Sequence, residues 1–107
     1  MKIITAVVRP HALDAIRRAL ERHAVLGMTI AEVRVPGEGW IEVHRGTRSV
    51  VDLVPALRVE IVVHDEVVDR VLDQIVMNLD GDDGRLSVGL LDLVLRVRTG
   101  ERGADAV

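Results

Sequence analysis

From Lys2 to Val8 the chain is a β-rich run ended by Pro10, and beyond it Leu13, Ile16 and Leu20 recur at helical spacing to about His23. Gly27 closes that helical region, and Met28 to Val35 predicts a second strand. The polar, glycine-rich stretch from Pro36 to about Ser49 is too long for a tight hairpin turn and is expected as a partner-facing loop. Next, Leu57, Val59, Ile61 and Val63 alternate with Arg58 and Glu60, as a half-buried strand requires. Asp65 is the expected N-cap of a second helix whose apolar stripe is Val68, Val71, Leu72, Ile75 and Val76, ending near Asn78. Leu86 to Val88 and Leu91 to Val97 predict short strands.

The predicted order is βαββαβ, two split βαβ halves that give one antiparallel sheet with both helices on one face. The expected fold class is therefore α+β, a ferredoxin-like domain, and 107 residues make one domain spanning 1–107. A sheet covered on one side leaves its other, valine-rich face needing a cover. Self-association is the simplest solution for a domain this small, because burial at about 25 cal/mol per Å² adds substantially to a marginal stability.

Composition narrows the picture. Apolar residues are 49% of the chain and Trp40 is the only aromatic, so the core must be aliphatic. Fourteen basic and seventeen acidic residues leave a net charge of −3 and no electrostatic case for nucleic acid as a partner. The lack of cysteine excludes disulfides and thiolate metal sites. No apolar run approaches the roughly 18 residues of a spanning helix, and the N-terminal strand lacks a cleavage pattern; a cytoplasmic protein is expected.

The candidate chemistry lies late in the chain. Arg96 and Arg98 bracket Val97, and in an extended chain both guanidiniums would fall on one side, as a polyphosphate clamp requires. The plainer reading is a solvated edge strand. Gly81-Asp82-Asp83-Gly84-Arg85 is a glycine-bearing turn with a third cation, although Asp-Gly pairs also form turns with no ligand. His11, His23, His44 and His64 have no metal-ligand spacing. Trp40, in a glycine-flanked loop, either packs on its own domain or acts as a binding anchor, the reading preferred here. Asp82 and Asp83 are adjacent, beside the proposed phosphate turn, and are not read as paired acid catalysts.

Several islands in order, namely Thr5-Ala6-Val7-Val8-Arg9-Pro10, Leu13-Asp14 with Ala19-Leu20, Gly27-Met28-Thr29, Val59-Glu60-Ile61-Val62-Val63, Val67-Val68-Asp69 and the closing Thr99 to Val107, resemble the PII signal-transduction (nitrogen regulatory) family. That resemblance implies a homotrimeric regulator, not an enzyme, which reads adenine nucleotides and 2-oxoglutarate in clefts between subunits and controls a transporter or metabolic enzyme. It places Thr29, Glu60 and Val62 near the adenine and ribose. It places Gly37 and Glu38 at the loop base, Asp82, Asp83, Gly84 and Arg85 in the phosphate turn, and Arg96, Val97 and Arg98 at the cleft. It puts Trp40, His44, Arg45 and Ser49 in the partner-binding loop and makes residues 99–107 a C-terminal loop.

Departures from the family pattern change the ligand expectation. Ser49 stands where the family carries its uridylylated tyrosine, and the chain has no tyrosine. The long loop is shorter by about two positions and the phosphate turn by about three, as the resemblance aligns them. The glutamine that helps hold magnesium and 2-oxoglutarate has no counterpart, and Glu38 would bring an acid near the phosphates. ATP with magnesium and 2-oxoglutarate is then disfavoured relative to ADP or AMP. A trimeric module binding a metal or small anion is the alternative, and a slow nucleotide hydrolase ranks last.

Overall fold

The computed structural model describes residues 1–23, 25, 27–37, 52–79 and 84–107. Its strands are β1 (Lys2–Val8), β2 (Thr29–Pro36), β3 (Leu53–Val63) and β4 (Arg85–Leu90), and its helices are α1 (Leu13–Arg22) and α2 (Val68–Asn78). They form one sheet of order β2-β3-β1-β4 in which every neighbouring pair is antiparallel. This is the expected ferredoxin-like α+β arrangement.

Side-chain alternation along β1 and β3 builds the core. Ile4, Ala6 and Val8 on β1 and Val59, Ile61 and Val63 on β3 point to one face and are buried there with Ile16 and Leu20 of α1 and Val71 and Ile75 of α2. On α1 the outer face is held by an Arg17–Glu21 ion pair at 2.8 Å, one turn apart. The opposite face of the sheet carries Ile3, Thr5 and Val7, then Ala31, Val33 and Val35, and Ala56, Arg58, Glu60 and Val62. No described helix covers that face.

Two strand assignments differ from the sequence pattern. β3 begins at Leu53 rather than Leu57, because its first residues pair with Val33 to Pro36 of β2. Pro55 interrupts the strand signal there, yet β1 joins β3 only from Leu57. At Pro55 β3 is still an edge, where the missing N–H costs no ladder bond. Conversely, 91–97 is not a strand. β1 ends at Lys2, opposite Leu90, so the sheet offers the segment only a single bond, from the Leu91 N–H to the Met1 carbonyl (3.2 Å), and its pairing is limited to a Leu95–Arg102 bridge with the chain just after it. The domain is long, 54 × 27 × 21 Å, with a radius of gyration of 16.8 Å against about 13 Å for a compact chain of this length.

Asp65 does not cap α2. It opens a 3-10 turn, Asp65–Val67, that leads into the helix, and no side-chain cap bond forms. Its carboxylate instead meets the N-terminal ammonium of Met1 at 2.7 Å. That hydrogen bond, with the charge of Lys2 nearby, holds the Asp65 carboxyl below its ordinary range. A depressed native value stabilises the fold above the unfolded carboxylate range of about 4 and loses that contribution as pH falls through the native value. Asp65→Asn is therefore expected to flatten the acid limb of stability, followed by urea unfolding between pH 3 and 6, while pH 7 to 8 curves keep their shape; identical acid limbs would remove the ion pair from the account. No helix among the described residues is long and apolar enough to cross a membrane.

Candidate functional site

Six of the residues expected to bind nucleotide line one or other of two open clefts. The larger, about 660 Å³, is lined by Thr29, Glu60, Val62 and Arg96 together with Met28, Val94 and the end of the chain at Ala106 and Val107. The sheet sets its floor. Glu60 lies between Thr29 of β2 and Thr5 of β1, a carboxylate flanked by two hydroxyl-bearing positions on one face. Arg58, two residues earlier on that face, pairs with Glu60 at 3.2 Å.

Gly84 and Arg85 belong elsewhere. They line a second cleft of about 400 Å³ with Val7, Val8, Arg9, Val35, Pro36 and Ala56. Gly84 packs closely there, since a Cβ would stand 3.2 Å from the Val7 carbonyl oxygen and 3.3 Å from a Val8 methyl, tight contacts that the neighbours would have to ease. The two clefts share no lining residue, and they reach the two ends of β2, Thr29 lining the larger and Val35 and Pro36 the smaller. Gly37 lines neither. Its N–H donates to the Asp52 carbonyl at 2.7 Å, closing the base of the long loop.

The clamp geometry expected for Arg96 and Arg98 is not found. The Arg96 N–H donates to the Glu101 carbonyl at 2.9 Å and the Gly100 N–H to the Arg96 carbonyl at 2.8 Å, so 96–101 is a tight reversal. Gly100, with φ of +74°, sits where a side chain would be strained. Arg98 therefore lies in the turn rather than alternating with Arg96 along a strand. Arg96 Nε donates to the Ala106 carbonyl at 3.2 Å, tying the C-terminal 3-10 turn Gly103–Ala106 to the larger cleft. Arg98 is exposed and lines neither cleft, and Val97 is 94% exposed at the tip of the turn.

Glu38, Trp40, His44, Arg45, Ser49, Asp82 and Asp83 lie outside the described residues. Sequence reasoning missed His23 and His64, which line the larger cleft, and Arg9, which lines the smaller. The available signal was position. His64 directly follows the Glu60-bearing strand, His23 ends α1, and Arg9 ends β1. Among the described residues, the lining of the two clefts offers one carboxylate side chain, Glu60, already engaged by Arg58. Those residues do not form a magnesium site, and no group of three or more His, Asp or Glu among them is placed for a metal.

Comparison with known proteins agrees with this architecture. The family model described as "Nitrogen regulatory protein P-II" matches residues 1–101. The chain is 44% identical to Nitrogen regulatory protein P-II 2 of Methanothermobacter thermautotrophicus, over all of this chain and 97% of that relative. It is 38% identical to Nitrogen regulatory protein P-II of Nostoc punctiforme and 37% identical to that of Rhizobium etli, with both chains covered completely in each case. These alignments run to 112 positions against 107 residues here, leaving five positions without a residue of this chain, as many as the two expected shortenings require. The chain belongs to the PII nitrogen regulatory family, whose members are signal-transduction regulators acting on partner proteins rather than enzymes.

Proposed function

We propose that this regulator works as a homotrimer that binds adenine nucleotide between subunits and passes the bound state, through the loop after Gly37, to a transporter or metabolic enzyme in nitrogen regulation. One observation carries the reading: six of the expected ligand residues line clefts, and they divide between two that share no residue, Thr29, Glu60, Val62 and Arg96 in one and Gly84 with Arg85 in the other. A second copy that brings its smaller cleft against the larger cleft of the first would let a single small ligand meet both sets of residues. The open sheet face supplies the apolar surface for that contact, and a head-to-tail interface closes into a ring.

In this arrangement Thr29, Glu60 and Val62 receive the base and ribose. Arg96 of the same copy and Gly84 with Arg85 of the next meet the phosphates through guanidinium donors and turn amides. Arg98, free of the fold's own bonding, reaches across the interface. The scarcity of cations favours ADP or AMP over ATP, and 2-oxoglutarate is not expected to strengthen binding. Signalling follows only if the nucleotide has different affinities for two loop states, since equal affinity shifts nothing.

Arg98→Ala is the direct test, because the side chain is exposed and its loss leaves the fold intact. Losing a charge-assisted contact of about 1.5–3 kcal/mol predicts roughly 10- to 100-fold weaker ADP binding by calorimetry, with an unchanged melting temperature. Equal affinities in the two proteins would sink the assignment of Arg98.

A further inference from the structure

The larger cleft is short of positive charge for an anionic ligand. Its lining holds one permanent cation, Arg96, whose Nε is already donated to the Ala106 carbonyl. Against it stands Glu60, with Arg58 at 3.2 Å as its partner. The other lining groups able to become cations are His23, at the C-terminal end of α1, and His64, at the joint between β3 and the Asp65–Val67 turn. Both are half-buried, and they come from different elements that meet at the same cavity. Neither was assigned a role by the sequence or by the family resemblance.

We propose that His23 and His64 are ligand-contacting residues whose protonation tunes the cleft's affinity for an anionic ligand, so that the regulator weighs proton concentration together with nucleotide. The inference rests on the nucleotide reading given above. Neutral imidazole offers a donor and an acceptor to a purine edge or ribose hydroxyl, and imidazolium offers two donors and a charge. Protonating both would raise the possible cations of the lining from one to three. The charged groups around them come from every neighbouring element. Glu21 and Arg22 stand in the last turn of α1, Arg58 and Glu60 on β3, Lys2 on β1, and Asp65 with the Met1 ammonium and Glu66 at the turn. Arg96 and Asp105 with the chain end at Val107 complete the surround. Acids and bases are both present there.

The test is calorimetric titration of ADP into the intact protein at pH 6, 7 and 8, in buffers of different ionisation enthalpy, for wild type, His23→Gln, His64→Gln and the double variant. The phosphate's own titration is common to all four proteins and cancels in the comparison. The expected result is wild-type affinity rising roughly tenfold more than the double variant's from pH 8 to pH 6, the effect of about one added charge near the ligand. Wild type should also take up protons on binding, and the double variant should take up fewer, a readout that a purely structural role would not move. Parallel pH slopes and equal proton uptake would overturn the inference while leaving the nucleotide site standing. Absence of ADP binding to wild type at every pH would overturn the nucleotide reading and this inference with it. His64→Asn and His23→Asn serve in place of any glutamine variant whose unfolding curve departs from wild type.

Discussion

Val33→Asp is expected to collapse the assembly to single chains. Val33 lies on the open face of β2, opposite Ala56 and diagonal to Arg58. In a free chain the new carboxylate is half-exposed and has Arg58 within reach as a partner. In a ring closed by that face, three carboxylates would be desolvated near one another, at several kcal/mol each. Light scattering should show wild type near three times the 11.8 kDa of one chain and the variant near 11.8 kDa, with the far-ultraviolet circular dichroism of the two alike. ADP affinity should fall at least about 100-fold in the variant, because each chain keeps only half of the contacts. A variant that stays assembled and binds ADP normally would remove the open face from the interface.

Ile61→Ala should have the largest effect on the fold itself. Ile61 is fully buried in the middle of β3, paired with Ile4, at the centre of the cluster that joins the sheet to both helices. Deleting its outer methyls without collapse of the surrounding side chains costs about 2–5 kcal/mol, a large part of the roughly 5–15 kcal/mol that holds a domain together. Urea unfolding should shift to a lower midpoint with little change in slope. A loss below about 0.5 kcal/mol, the range of a surface substitution, would mean that the layer described here is not the core.

The elements that could be read from the chain are those whose signal is local. The alternation of Leu57 to Val63 and the stripe from Val68 to Ile75 sit where β3 and α2 are found, Pro10 stands between β1 and α1, and Gly27 stands just ahead of β2. Local signal failed where pairing partners decide. Leu53 to Ala56 is a strand because β2 extends beside it, and Pro55 hides that. Leu91 to Val97 has strand composition but no neighbour in the sheet, since β1 is used up at Lys2, and it pairs only through the Leu95–Arg102 bridge. Asp65 has the residue type of an N-cap, yet the ammonium of Met1, far away in sequence, claims its carboxylate.

The site was legible to a similar depth. Motifs pointed to Thr29, Glu60, Val62 and Arg96, which do share a cleft. That Gly84 and Arg85 line a different cleft from Thr29 and Arg96 is set by tertiary packing and is invisible to any motif. His23, His64 and Arg9 carried no spacing signal, because each sits at the end of an element and reaches its cleft through tertiary packing.

Subunit complementation tests the central claim, a nucleotide site built from two chains, most directly. Arg85→Ala damages the smaller cleft and Arg98→Ala the turn beside the larger one, so homotrimers of either variant should bind ADP weakly at every site. Co-expression of the two in equal amounts should yield mixed rings in which about a quarter of the interfaces pair an intact smaller cleft with an intact larger one. Calorimetry should then recover wild-type ADP affinity in about that fraction of sites. If mixed assemblies form and no high-affinity fraction appears, the nucleotide site does not lie between subunits and the proposed arrangement is wrong.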